Sequence, residues 1–163
     1  MSTPLTRQLP EAAALFNPAF GAFVLAHCVA AHMAASPSLP LPFPSSFLVL
    51  PLVLPPDTRS ALPRDVRTPL SGWLADNPVL RASFPRRAVS LTEYTRTAER
   101  FGIRHGAFVV RSGGLIVESQ PRRPNESVHG VELVECTRKA ALVGRWLASM
   151  NPATAFTLLG VRP

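Results

Sequence analysis

Residues 12–56 contain no Asp, Glu, Lys or Arg, 45 consecutive positions without a charged side chain. Such a stretch has no ordinary solvent face, so it must be buried in a core or against a partner. Prolines set the element lengths within it, because each one removes a backbone donor and fixes φ. Asn17-Pro18 reads as an N-cap followed by proline at the first helical position, opening a helix toward Ala35 that Ser36-Pro37 stops. Phe20, Phe23, Val24, His27, Ala31 and Ala34 fall at helical spacing, while Leu25 and Val29 make the other side apolar as well, the pattern of a buried helix. Residues 39–44 alternate with proline and read as extended. Residues 47–54 are a continuous apolar run with Pro51 in the middle, which disfavours a central strand and predicts a kinked helix capped by Ser45 or Ser46.

Past Pro56 the sequence turns polar. Residues 57–62 read as a short helix, and Thr68-Pro69 and Asn77-Pro78 repeat the cap-then-proline signature for helices toward Asp76 and Val89, the second bent or split at Pro85. Ser90-Leu91-Thr92-Glu93 has capping-box spacing. The helix it opens carries Leu91, Tyr94, Ala98 and Phe101 on one face and Arg96, Arg100 and Arg104 as an i, i+4 stripe on another. Two β-rich runs around Ser112-Gly113-Gly114 predict a hairpin over 107–119. Residues 120–130 are a polar loop, residues 137–150 a helix with Val143, Trp146, Leu147 and Met150 on one face, and Pro152 opens a last helix that Gly160 closes. The expected fold is mainly α with one β-hairpin. It forms one domain over 1–163, an apolar helical half (12–56) preceding a winged-helix-like part (78–119), the loop and the C-terminal helices (137–163).

The net charge is +7, carried by sixteen arginines and the single Lys139, and Arg7 and Glu11 cancel, so all of it resides in residues 57–163. That excess permits contact with nucleic acid or an acidic partner. Cys28 and Cys136 are too few for a disulfide framework and sit among apolar neighbours, which fits a reducing, cytoplasmic compartment. No secretory signal is read at Met1-Ser2-Thr3-Pro4, and residues 39–56 hold too many prolines for a membrane span.

The chain has no glycine-rich phosphate loop, no GxSxG elbow and no HExxH pair. Cys28 and His32 share a helix face, but further ligands would come only from distant His105, His129 or Cys136, so no metal or cofactor is assigned. Asp57, Asp65 and Asp76 stand far upstream of Glu118, against a metal-dependent nuclease site, and Glu132 and Glu135 read as acids placed just ahead of a helix dipole. No catalytic residue and no nucleophile-base pair can be named, so a small hydrolase is the least supported reading.

Short helices, then a helix, then a hairpin give the order of a winged helix, and between Pro78 and Asn125 nine arginines face three acids. Arg96, Arg100, Arg104, Arg111, Arg122 and Arg123 are the candidate contacts to nucleic acid or an acidic partner. Glu93 and Glu99 stand at i, i+3 spacings that would neutralise the stripe locally, so DNA and protein remain equal alternatives. Phe43, Phe47, Leu48, Leu50 and Leu52 are the candidate partner interface, with burial in the chain's own core as the alternative. The interface reading expects the isolated chain to aggregate.

The segments Leu15-Phe16-Asn17-Pro18-Ala19-Phe20, Leu41-Pro42-Phe43-Pro44, Trp73-Leu74-Ala75-Asp76-Asn77-Pro78, Phe101-Gly102-Ile103-Arg104-His105-Gly106, Val143-Gly144-Arg145-Trp146-Leu147-Ala148 and Leu158-Leu159-Gly160-Val161-Arg162-Pro163 occur in the order seen in one family. Together they resemble the middle component of bacterial three-component ABC systems. The resemblance implies a non-enzymatic accessory subunit bridging an SMC- or Rad50-like ABC ATPase and an effector, often a nuclease, in conflict systems such as Lamassu-type phage defence. Its implied partners are those two subunits, with DNA reached through the complex and no membrane. The alternative is a free-standing winged-helix DNA-binding regulator.

Overall fold

Asn17 caps the first helix through its side chain, Oδ1 accepting from the Ala19 amide at 2.9 Å, with Pro18 at the first helical position. The computed structural model describes residues 17–37 and 39–162; the N-terminal segment read for a leader, Leu15, Phe16 and the start of the charge-free stretch lie outside them. Helix α1 (Pro18–Ala35) runs as the proline pattern predicts. It is long and apolar enough to cross a membrane by length and composition, and its buried residues pack on two later helices, α7 (Thr92–Arg104) and α9 (Val131–Ala148). The α1–α9 crossing is close because Gly144 has no side chain: a Cβ there would lie 2.3 Å from the Cys28 carbonyl oxygen. At its N-terminal end α1 is held to α7 by the Tyr94 hydroxyl, which donates to the Asn17 carbonyl at 2.8 Å.

The proline-rich part departs from expectation. Leu41–Pro42 form strand β1, Phe43–Ser46 a single turn α2, and Val49–Val53 a short helix α3. Two turns replace the one kinked helix expected over 47–54. Pro51 is the third residue of α3, where a backbone amide has no intrahelical acceptor, so the missing donor costs nothing. No serine side chain caps α3, which Leu48 precedes. Helix α4 (Pro56–Ala61) follows, then α5 (Leu70–Asp76) and α6 (Pro78–Ser90), and α6 continues through Pro85. Asn77 does not cap α6; its Nδ2 donates back to the Trp73 carbonyl at 2.9 Å.

The capping box at Ser90 does not form. Ser90 is the last residue of α6, its Oγ donates to the Arg87 carbonyl at 2.9 Å, and helical bonds bridge the joint at Leu91. A capping box needs a chain entering from non-helical backbone, whose amides lack acceptors; here the preceding turn already supplies them.

The hairpin lies where the glycine pair puts it: β2 (Val109–Arg111) pairs antiparallel with β3 (Gly114–Ile116) around Ser112 and Gly113, both at positive φ (51° and 77°), the backbone of a primed turn. The short helix α8 (Glu126–His129), α9 and α10 (Pro152–Leu159) complete the chain, α10 ending on a left-handed Gly160. Helix α9 starts six residues earlier than expected, so Glu132 and Glu135 lie on it rather than ahead of it.

The fold is mainly helical with a small antiparallel sheet of order β1-β3-β2, in which Leu41 pairs with Leu115. A strand from the proline-rich segment thus completes the hairpin, and Leu41, Phe108 and Leu115 are buried beneath it. The apolar and basic parts of the sequence share one core. The part expected to be winged-helix-like, 78–119, is therefore not a separate unit: α7 buries Tyr94, Thr95, Ala98, Glu99 and Gly102 in the shared core and keeps its arginines exposed.

Candidate functional site

Leu48, Leu50 and Leu52, three of the five residues expected at a partner interface, are 0 %, 0 % and 1 % exposed and belong to the chain's own core. Strand β1 and turn α2 fold the run inward, which gives these leucines neighbours from α1, α6 and α9 within the same chain. Phe43 and Phe47 differ. Their rings meet edge to face at 5.7 Å on the outside of α2, and Phe43 remains 37 % exposed. They form a ridge between two cavities. The larger, about 380 Å³, has Leu48, Ala88 and Phe156 in its floor and Val89, Val161, Arg96 and Arg162 around it. The smaller, about 230 Å³, lies on the other side of the ridge against Arg96, Glu99, Arg100 and Ile103. The groove is built from α2, the end of α6, α7, α10 and the segment after α10, elements that no local pattern brings together.

Beneath the ridge is a buried carboxyl group. Glu99 is 3 % exposed and in contact with the Ser46 hydroxyl, which also lies 2.6 Å from the Phe43 carbonyl oxygen. A serine hydroxyl has one hydrogen, so both contacts are satisfied together when Glu99 carries a proton and donates it to Ser46, while Ser46 donates to Phe43. Burial pushes the Glu99 carboxyl group above its ordinary range, and the Ser46 hydrogen bond and the Arg96 charge oppose that shift. Glu99 is thus buried instead of standing at the surface as a counter-ion of the arginine stripe, and its contact with Ser46 secures α2, and with it the phenylalanine ridge, to α7.

Of the six candidate arginines, Arg96, Arg100 and Arg104 are exposed along α7. Arg96 pairs with Glu93 at 2.5 Å in an exposed i, i+3 contact. Arg100 and Arg104 have no carboxylate partner within 4.0 Å among the described residues, and Arg104 closes α7, where the helix dipole favours a cation. Arg111 is on β2, 4.0 Å from Glu118 across the hairpin. Arg122 and Arg123 are exposed on the polar segment before α8, whose backbone is tied to α1 by a 3.2 Å contact between His27 Nε2 and the Arg122 carbonyl. The six are spread over three elements rather than gathered in one patch, and Arg96 and Arg100 line the cavities beside the ridge.

Sequence reading misses the residues that hold these elements in place. Arg59, only 7 % exposed, donates to the carbonyls of Val53 (3.1 Å) and Leu54 (2.7 Å) at the end of α3 and pairs with Glu132 at 3.0 Å on α9. Lys139 Nζ donates to the Leu62 and Pro63 carbonyls at 3.0 and 3.1 Å. Arg87 grips Asp57 through both carboxylate oxygens, holding that carboxyl group down at about 2. The only available signal was the proximity of Arg59 to the charge-free stretch, whose carbonyls need donors.

Around Arg59, Asp57 and Lys139 lies a polar depression of about 650 Å³, yet these three side chains are committed to structural bonds. Cys28 and Cys136 are buried, and burial pushes both thiols up, Cys136 to about 11, so neither is a thiolate near neutrality. The arrangement supplies no poised nucleophile at these cysteines; it supplies an apolar groove with a cationic rim.

The family model for the ABC-three component (ABC-3C) system Middle Component 3 matches residues 6–163. Comparison with curated proteins and with solved structures finds no match.

Proposed function

The chain belongs to the Middle Component 3 family of ABC-three component systems, and from that membership we propose that it is a non-enzymatic accessory subunit bridging an SMC- or Rad50-like ATPase to an effector in a cytoplasmic defence complex. The family match, spanning nearly the whole chain, carries this reading. The chemistry of the surface supports it. The phenylalanine ridge offers apolar area at a groove, and Asp57, Asp65, Glu93, Glu118, Glu132 and Glu135 are each paired with an arginine, which leaves a cationic exterior suited to acidic partner surfaces or to DNA held by the complex. The test is affinity purification of the tagged chain after co-expression with the ATPase and effector of its system. Recovery of either subunit in fixed stoichiometry is the expected result. A homodimer that captures neither subunit and binds a specific duplex would overturn the reading in favour of a free-standing regulator.

A further inference from the structure

We propose that the groove beside the Phe43–Phe47 ridge docks an acidic amphipathic segment of another component, an apolar side chain filling the cavity and flanking carboxylates reaching Arg96 and Arg162. The inference rests on the accessory-subunit reading and names the chemistry of the partner. The cavity, about 380 Å³, is at the small end of ligand-sized pockets and takes an anchor side chain rather than a whole domain. Its floor is apolar, and the hydroxyl of Thr92 is already used, donating to the Ala88 carbonyl at 3.0 Å. An occupant must therefore bring apolar surface to the centre.

The rim decides the sign of the partner's charge. Among the described residues no acidic side chain lines this cavity, whereas Arg96 and Arg162 do. Arg162 has no carboxylate partner within 4.0 Å among the described residues, and the Arg96–Glu93 pair is exposed, so it is weak and exchangeable for a carboxylate held in a desolvated interface. Arg100 adds a third cation across the ridge. A second copy of a chain of net charge +7 would bring like charge to this rim, and a duplex has phosphates for the arginines but no apolar group for the floor. An acidic segment with a leucine or aromatic anchor satisfies both features.

The test uses the full chain co-expressed with its ATPase and effector. Val89 is 74 % exposed at the groove and Val79 78 % exposed at the other end of α6, so Val89→Glu and Val79→Glu are both tolerated by the fold, which matched melting temperatures verify. The expected result is that the wild type and Val79→Glu capture a subunit, that Val89→Glu and the double variant Arg96→Glu/Arg162→Glu each lower capture at least tenfold, and that salt weakens the wild-type contact. Wild-type levels of capture by both groove variants would overturn the groove while leaving the accessory-subunit reading intact. A wild type that captures neither subunit would overturn both. Unchanged capture with a lost homodimer, or with lost duplex affinity, would also overturn the proposal and identify a second copy or DNA as the occupant.

Discussion

Glu99 is a buried carboxyl group whose burial favours its protonated form. In an acid whose folded-state pKa is raised, the native state binds the extra proton, so the stabilisation is full below the ordinary glutamate range and is lost as pH rises through the folded value. Glu99→Gln retains a donor for Ser46 and removes the titration. Denaturant melts across pH should show wild-type stability falling relative to the variant in that window; a difference independent of pH would contradict the assignment of the proton. Arg59 is the opposite case, a buried cation whose removal leaves the Val53 and Leu54 carbonyls and Glu132 without their donor. Arg59→Ala is expected to destabilise by about 2–4 kcal/mol, measured by urea unfolding, and a loss under about 0.5 kcal/mol would show that water replaces it. Glu99 was not legible, because it sits in a polar context where a surface position is the ordinary expectation and its partner Ser46 is 53 residues away; for Arg59 only the nearby carbonyls of Val53 and Leu54 gave a signal, its ion-pair partner Glu132 being 73 residues away.

At the scale of elements, legibility follows the range of the signal. Helix α1, the hairpin and α10 start or turn on local chemistry, Asn17-Pro18, Ser112-Gly113 and Asn151-Pro152, and the structure places them accordingly. Strand β1 is two residues long and exists only because β3 supplies its partner, so no periodicity could reveal it. The Ser90 capping signature fails for the complementary reason: the right residues follow a turn that is already helical. The α1–α9 contact gives a test of packing. Gly144→Ala gains about 1 kcal/mol of helix propensity, but a Cβ 2.3 Å from a backbone carbonyl forces the two helices apart, at a cost of about 1–3 kcal/mol or more. A lowered melting temperature is expected, and an unchanged or raised one would show that the helices separate without penalty. On α7, Arg100 and Arg104 have no carboxylate partner among the described residues, while Arg96 pairs with Glu93 and lines the groove. If the assembled complex uses this helix on DNA, Arg100→Gln/Arg104→Gln lowers the salt slope of binding by about two units and adding Arg96→Gln lowers it no further. An unchanged slope would assign the stripe to protein or solvent.

For the whole molecule, the charge-free stretch turned out to serve mostly the chain itself. Val24, Leu25, Val29, Leu41, Leu48, Val49, Leu50, Leu52 and Val53 all enter one core with residues of α9 and α10. Of the large apolar side chains in that stretch, Leu39 and Phe43 remain exposed, and Phe43 lines the groove with Val89 and two arginines, so the core alternative holds for Leu48, Leu50 and Leu52 while the interface alternative is carried by the proposal at Phe43 and Phe47. The proposed function rests on assembly with the other components of the system. Its most direct measurement is the native mass of the complex formed when this chain is co-expressed with the ATPase and effector of its system. The expected spectrum contains this chain bound to at least one of them, with that species lost on Val89→Glu. A spectrum of the chain alone, beside an ATPase and effector that associate without it, would contradict the account.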